Sequence, residues 1–389
     1  MKKLLFVNNN MHIGGVQRAL ANLLWCIRDD YEIDVLLFAP CGELLDALPD
    51  GVRVIAADSP YRYFGLTRDD VRGHAFDTLA RSALAAITRV RGRDAALRLC
   101  DIKQHRLAGY DAAIAYLHDG APNAFYGGCV DFVLRHVSAA LKIAFLHCDY
   151  RIVADNARNR ERYAGFDRIA ACSRGCAQSF MQAVPELASR VRVVRNCHRF
   201  EAARARAAAQ PVQLRPDRVN ILTVARLGRE KGVDRALTAL QAMDAAANAH
   251  YWVLGDGIER AALEAFVRNN HLMDKVTFLG AQENPYGYMR AADLLFIPSR
   301  HEAAPLVIGE AACLGLPVLS TRTSSAEEMI GERGLGWVSD NTDEAIAEAL
   351  GALLQDPDGL RAKRHELEGR SFDDAAAIGD FHDLLEGRR

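Results

Sequence analysis

No run in this 389-residue chain reaches the roughly 20 apolar residues that a membrane-spanning helix needs. The opening MKKLLFVNNN offers only Leu4 to Val7 before three asparagines. A secretory leader needs an apolar stretch of about 7–15 residues, so KLLFV reads instead as a buried first strand. Charge of one sign is missing too: 48 Lys and Arg against 50 Asp and Glu leave a net charge of −2. A nucleic-acid coat would carry a strong basic excess, so nucleic acid is not an expected partner. The nine cysteines form no CxxC pair, and the closest two are Cys172 and Cys176. An odd, scattered set argues against a disulfide framework or a zinc cluster, and a reducing cytoplasm is the expected setting. Buried structural thiols are their expected role. Neither GxxxxGKS nor GxxxxGKT occurs, which excludes a P-loop kinase or ATPase.

What is present is ordinary globular material, half hydrophobic and a quarter charged. At about 150 residues per domain the length suggests two domains, or three. Short apolar runs alternate with amphipathic stretches. KLLFV, IDVLLF, VRVIA, AAIAYL, KIAFLH, RIAACS and VRVV read as strands, and Val16, Leu20, Leu23, Leu24 and Ile27 mark a helix over 15–28. Strands apolar on both faces and joined by helices predict an α/β fold with a parallel sheet. An Ala-, Arg- and Pro-rich stretch over 199–217 reads as a linker. The alternation then restarts with NILTVA, HYWVLG, KVTFLG, ADLLFIPS and LPVLS, giving a second strand–helix domain over 218–370. Residues 61–108 break the first domain's rhythm with ten Lys and Arg against five Asp. This is either a solvated helix face or a basic face for an anionic membrane or acceptor.

Five segments carry candidate chemistry. In AADLLFIPSRHEAAPLVIGEAACLG, a strand leads through Glu302 to a helix that opens near Pro305 and holds Glu310. Pro is accepted in a first helical turn. Amides around Ala304, Pro305, Leu306 and Val307 would face an anionic group such as a diphosphate. Glu302 and Glu310 are acceptors suited to sugar hydroxyls, or else solvent-facing glutamates. ILTVARLGREKG puts Arg226 and Lys231 after a strand, where two cations can clamp a diphosphate. In YWVLGDGIER, Gly255 and Gly257 would let a ligand approach the backbone, although this GxG lacks the third glycine of a dinucleotide fingerprint. Gly14 and Gly15 in NNNMHIGGVQRA precede the first helix. His147 in KIAFLHCDY sits just past a strand, placed to bond a sugar hydroxyl or a phosphate oxygen.

The order of these pieces resembles the family 4 glycosyltransferases of GT-B fold, which include bacterial capsule and exopolysaccharide enzymes. The likeness runs over nearly the whole chain. Its most specific element is SRHEAAPLVIGEAACLGLPV, whose Glu302 and Glu310 match a Glu-x7-Glu motif, followed by TRTSSAEEMI with Glu328 at an acidic position. The resemblance implies two Rossmann-like domains facing a cleft: residues 1–198 on the acceptor side, 218–370 binding the nucleotide sugar, and a last helix over 371–389 crossing back. Arg226 and Lys231 would hold the diphosphate, Glu310 the ribose and Glu302 the donor sugar, with His147 and the Gly14–Gly15 loop beside the anomeric carbon. It also implies retention of anomeric configuration and no metal or other cofactor; no DxD-like pair is placed to hold one. The sequence departs from the family at Ala303–Ala304, where Gly-Phe is common, and at Asn196-Cys197, where Asn-Gly is usual.

The expected function is thus transfer of a hexosyl or N-acetylhexosaminyl unit from a nucleotide sugar, UDP first and GDP second. The expected acceptor is a glycan or lipid-linked saccharide in surface polysaccharide synthesis. The expected location is cytoplasmic, with 61–108 as a possible contact to the inner face of the plasma membrane. Two other readings stay open: an epimerase on the same scaffold, and a non-catalytic nucleotide-sugar-binding subunit. A phosphorylase would need a pyridoxal-phosphate lysine and a much longer chain.

Overall fold

The computed structural model describes residues 1–58, 60–243 and 248–388. The chain forms two compact units, Met1–Cys197 with Ala375–Arg389, and His198–Asp374. Arg389, the last residue of the helix expected over 371–389, lies outside the described residues.

The first unit holds a seven-stranded parallel sheet. Its strands are β1 (Lys3–Asn8), β2 (Glu32–Leu37), β3 (Arg53–Ala56), β4 (Leu107–Ala115), β5 (Val137–Leu146), β6 (Arg168–Ala171) and β7 (Val191–Val193). The order is β3-β2-β1-β4-β5-β6-β7, so chain direction across the sheet reverses between β1 and β4. All seven expected strands are present. The helix Gly15–Ile27 buries Leu20, Leu23, Leu24 and Ile27 at helical spacing, as the sequence pattern required.

The second unit repeats the plan with six parallel strands: β8 (Val219–Val224), β9 (Ala249–Leu254), β10 (Val276–Gly280), β11 (Leu294–Ile297), β12 (Val318–Thr321) and β13 (Gly336–Ser339). The order β10-β9-β8-β11-β12-β13 reverses between β8 and β11. Alternate residues feed opposite faces: Leu222, Leu295 and Val318 join one apolar layer, and Ile221, Leu294, Phe296 and Leu319 the other. Both faces are covered, which is why these strands read as continuous apolar runs.

Two elements differ from the sequence expectation. The stretch read as a linker contains a helix, Phe200–Ala209, whose Phe200, Ala203 and Ala207 enter the second unit's core. Small alanines carry most of that contact, so no apolar periodicity announces it. Strand β13 is only GWVS and was missed for its shortness. The last helix, Ala375–Glu386, buries Phe381, which stacks on Phe6 of β1 at 6.0 Å. Phe372 packs instead on the second unit's core, beside Phe200.

The basic segment folds largely into the helices Ala75–Arg91 and Arg93–Asp101. Arg93 is fully buried and paired with Asp119 at 2.7 Å, and Arg62 pairs with Asp77 at 2.8 Å. Arg68, Arg72, Arg89, Arg91, Arg98, Lys103 and Arg106 are exposed. Phe76, Leu79, Ala83, Ala86 and Val90 are exposed too, and follow one another at three- and four-residue steps. They form one apolar stripe on the solvent side of the helix. Leu84 and Thr88 face the interior.

Candidate functional site

Open α/β sheets bind ligands beyond the carboxyl ends of their strands, where the strand order reverses. In the second unit that place is the end of β8 and β11. Arg226 leaves β8 two residues past Val224, and Lys231 closes a tight turn, Arg229–Lys231. The loop after β11 is tied to this turn, since the Arg300 amide donates to the Glu230 carbonyl at 2.8 Å. That tie brings Glu302 against Lys231. Lys231 Nζ donates to Glu302 Oε1 at 2.8 Å, and Ser299 Oγ donates to the same oxygen at 2.8 Å. Glu302 keeps only 10% of its side-chain surface exposed, whereas Arg226 keeps 76%. Arg226 Nη2 donates to Glu230 Oε1 at 2.8 Å. Burial works against the Glu230 charge, but a bond to its own amide, together with Arg226 and Lys231, holds its carboxyl below the usual range.

Gly255 and Gly257 follow β9. A Cβ on Gly255 would lie 1.8 Å from the Ala225 carbonyl oxygen, and one on Gly257 would lie 2.4 Å from that of Leu227. The Leu227 amide donates to the Asp256 carbonyl at 2.8 Å. The close approach these glycines permit in the fold is between two neighbouring loops, which sets the course of the Arg226 loop.

The expected helix runs Leu306–Ala312, with Pro305 extended just ahead of it. Pro305 has no amide hydrogen, so the backbone donors at this end belong to Ala304, Leu306 and Val307. Glu310 lies in the helix and is buried. Tyr286 Oη donates to Glu310 Oε1 at 3.0 Å, fixing the carboxylate's direction.

In the first unit the order reverses between β1 and β4. Gly14 caps the helix that starts at Gly15, and a Cβ on Gly15 would meet nothing within 4 Å. His147 directly follows β5. Its ring lies 4.7 Å from Tyr116 and stacks on Phe145 at 5.6 Å. Its Nε2 is buried with no partner among the described residues. Burial, and secondly the charge of His118, push the His147 imidazole down to about 3. His118 itself is pushed down to about 4, mainly by burial. Both rings are neutral at pH 7, so His147 can donate or accept a hydrogen bond without carrying charge.

The sequence missed Ser299, Tyr286, Glu230 and His118. Two of them had a signal. Glu230 stands four residues after Arg226, and AYLHD repeats the strand-then-histidine pattern of AFLHC. Ser299 and Tyr286 had none.

Residues 206–370 match the family described as "Glycosyl transferases group 1". A lipopolysaccharide core biosynthesis glycosyltransferase, LpsD of Rhizobium meliloti, is 28% identical over 222 residues, 54% of this chain and 64% of that protein. A GDP-mannose-dependent phosphatidylinositol dimannoside mannosyltransferase of Mycobacterium tuberculosis is 31% identical over 149 residues, 38% of this chain and 39% of that protein. The chain thus spans less than two thirds of these relatives. The structure of Anabaena Alr3699/HepE in complex with UDP and glucose superposes over 100% of both chains, with a TM-score of 0.69 at 17% identity. Residues 206–370 are thus similar to the group 1 glycosyl transferases, and the two parallel-sheet units have the GT-B fold.

Proposed function

We propose that this protein is a retaining glycosyltransferase that moves a sugar from a nucleotide diphosphate sugar to a glycan or lipid-linked saccharide in surface polysaccharide assembly. The observation that carries the reading is the set Arg226, Lys231, Glu302 and Glu310. These stand at or near the reversal point of the second sheet, inside the matched segment. UDP is the preferred carrier. The name of LpsD points to lipopolysaccharide, and the HepE complex to UDP; the mycobacterial relative's GDP-mannose makes GDP the second candidate.

In this reading Glu310, held by Tyr286, accepts hydrogen bonds from the ribose hydroxyls. Lys231 and Glu302 hold one another until the donor arrives. The diphosphate then takes Lys231, and Glu302 turns to the hydroxyls of the donor sugar. Arg226 is already exposed and adds the second positive charge. As the bond between the anomeric carbon and the phosphate oxygen breaks, these cations stabilise the leaving diphosphate, so no metal is needed for that charge. The acceptor oxygen bonds to the same face of the anomeric carbon, and its proton passes to the departing phosphate oxygen. His147 offers a neutral contact to a sugar hydroxyl. The exposed stripe Phe76–Val90, flanked by arginines, is where the protein would rest on an anionic membrane that holds a lipid-linked acceptor.

Calorimetric titration with UDP, GDP, ADP and CMP tests the donor site. One nucleotide should bind, and Glu310→Ala should weaken it at least about tenfold, the loss of a charged hydrogen bond. No binding of any nucleotide would remove the donor site, and with it the transferase reading.

A further inference from the structure

Three loops of the first unit meet just ahead of the Gly14–Gly15 turn, through side chains given no role above. His12 follows β1, Cys41 follows β2, and Asp70 lies in the segment ahead of the helix Ala75–Arg91. One donor atom from each lies within 4.8 Å of the others. Cys41 Sγ is 3.7 Å from His12 Nε2, and Asp70 Oδ2 is 2.9 Å from the same nitrogen. A tetrahedral zinc ion with ordinary bond lengths sets a sulfur–nitrogen edge of about 3.6 Å and a nitrogen–oxygen edge of about 3.4 Å. The sulfur–nitrogen spacing already fits, the nitrogen–oxygen spacing would open by about half an ångström, and the sulfur lies within 4.8 Å of the carboxylate oxygen.

The surroundings hold the three groups in place. Glu43 Oε2 lies 3.3 Å from His12 Nδ1 and accepts from the Ile13 amide at 3.1 Å. A carboxylate behind a histidine is the usual outer partner of a metal-bound imidazole, and it leaves Nε2 for the ion. Asp70 Oδ2 accepts from the Thr67 amide at 2.6 Å and its hydroxyl at 2.7 Å. The His12 and Cys41 loops are joined by backbone bonds of 2.8 Å, Met11 amide to Cys41 carbonyl and Leu44 amide to Met11 carbonyl. Gly42 makes this closeness possible: its φ is +109°, and a Cβ there would lie 2.2 Å from the His12 backbone nitrogen.

We propose that His12, Cys41 and Asp70 form a binding site for one zinc ion, with Glu43 holding the imidazole from behind. Nitrogen, sulfur and oxygen together suit zinc better than magnesium or calcium, which prefer all-oxygen sites. Three protein ligands leave a fourth position for water. The site lies two residues before Gly14, so zinc would fix the Gly14–Gly15 loop. The proposal does not depend on the sugar-transfer reading. Spacing alone could not show it, because Cys41 is 29 residues from His12 and Asp70 is 58.

Cobalt is the probe, since a thiolate bound to Co2+ absorbs in the near ultraviolet. The reduced, chelator-treated full chain should bind one Co2+ with that absorption, and Zn2+ should displace it. Cys41→Ser and His12→Gln should abolish the band while keeping the wild-type circular dichroism and melting point. Glu43→Gln should keep the band but weaken affinity about 10- to 100-fold. Absence of the band in the wild type overturns the proposal. So does a band that persists in a folded Cys41→Ser variant, which would place the metal on other cysteines.

Discussion

Lys231 and Glu302 stand 71 residues apart in the chain and 2.8 Å apart in the fold. Each had been assigned a ligand by sequence, but their mutual bond changes what a substitution tests. Removing the Lys231 ammonium leaves a nearly buried carboxylate that keeps the Ser299 hydroxyl as a donor but loses its cation, so Lys231→Ala costs stability as well as charge. Arg226 is three-quarters exposed, and its loss disturbs little packing. Arg226→Ala should therefore lower kcat/KM about 100-fold, the usual effect of losing one preorganised donor, with an unchanged melting point. Lys231→Ala should lower both. The double variant should lose most of its turnover with the nucleotide sugar that calorimetry selects. Near-normal turnover there would remove the proposed diphosphate clamp. The candidates were legible because strand-end positions can be read from apolar runs. Their pairing was not, because a contact across two loops leaves no trace in local spacing. The same holds for Tyr286 and Glu310, 24 residues apart.

At the scale of elements, strands were the most legible feature, since burial on both faces leaves an uninterrupted apolar run. The helix Phe200–Ala209 was hidden because one phenylalanine and two alanines make its buried face. The helix Ala75–Arg91 poses the opposite problem: its pattern suits a helix, yet its apolar stripe faces solvent. Phe76, Leu79 and Val90 are 77, 70 and 80% exposed, the exposure that the proposed membrane contact requires. Exposed arginines flank the stripe at positions 72, 89 and 91. An amphipathic helix with cations beside its apolar face inserts shallowly into an anionic bilayer. The full chain should float with vesicles containing anionic lipid at low salt and detach as salt rises. Replacing Phe76, Leu79 and Val90 together by serine should abolish flotation without changing nucleotide binding. No flotation of the wild type at low salt would discard the membrane contact.

At the scale of the whole molecule, both units hold histidine rings in the neutral form. His118 and His147 lie in the first, with imidazoles pushed down to about 4 and about 3. His250 lies in the second, pushed down to about 4 by burial and by Arg215. Each ring titrates near 6.5 once the chain unfolds, so between that pH and the folded value the unfolded chain binds more protons. Stability is therefore complete above pH 6.5 and is lost as pH falls toward 4 and 3. Lowering pH from 7 to 5 should cost at most about 2 kcal/mol per histidine. Asp374 opposes this in the second unit, because burial raises its carboxyl above the ordinary value. Two compact units need not unfold together, so scanning calorimetry should be read transition by transition. Acidification should lower both transitions. His250→Gln should flatten the pH dependence of one, and His118→Asn with His147→Gln that of the other. Melting that is independent of pH between 7 and 5 would mean that these rings are not held neutral by burial. His147 would then gain its charge as pH falls through about 6.5, and only above that pH would the strand end keep the neutral ring that the proposed mechanism uses.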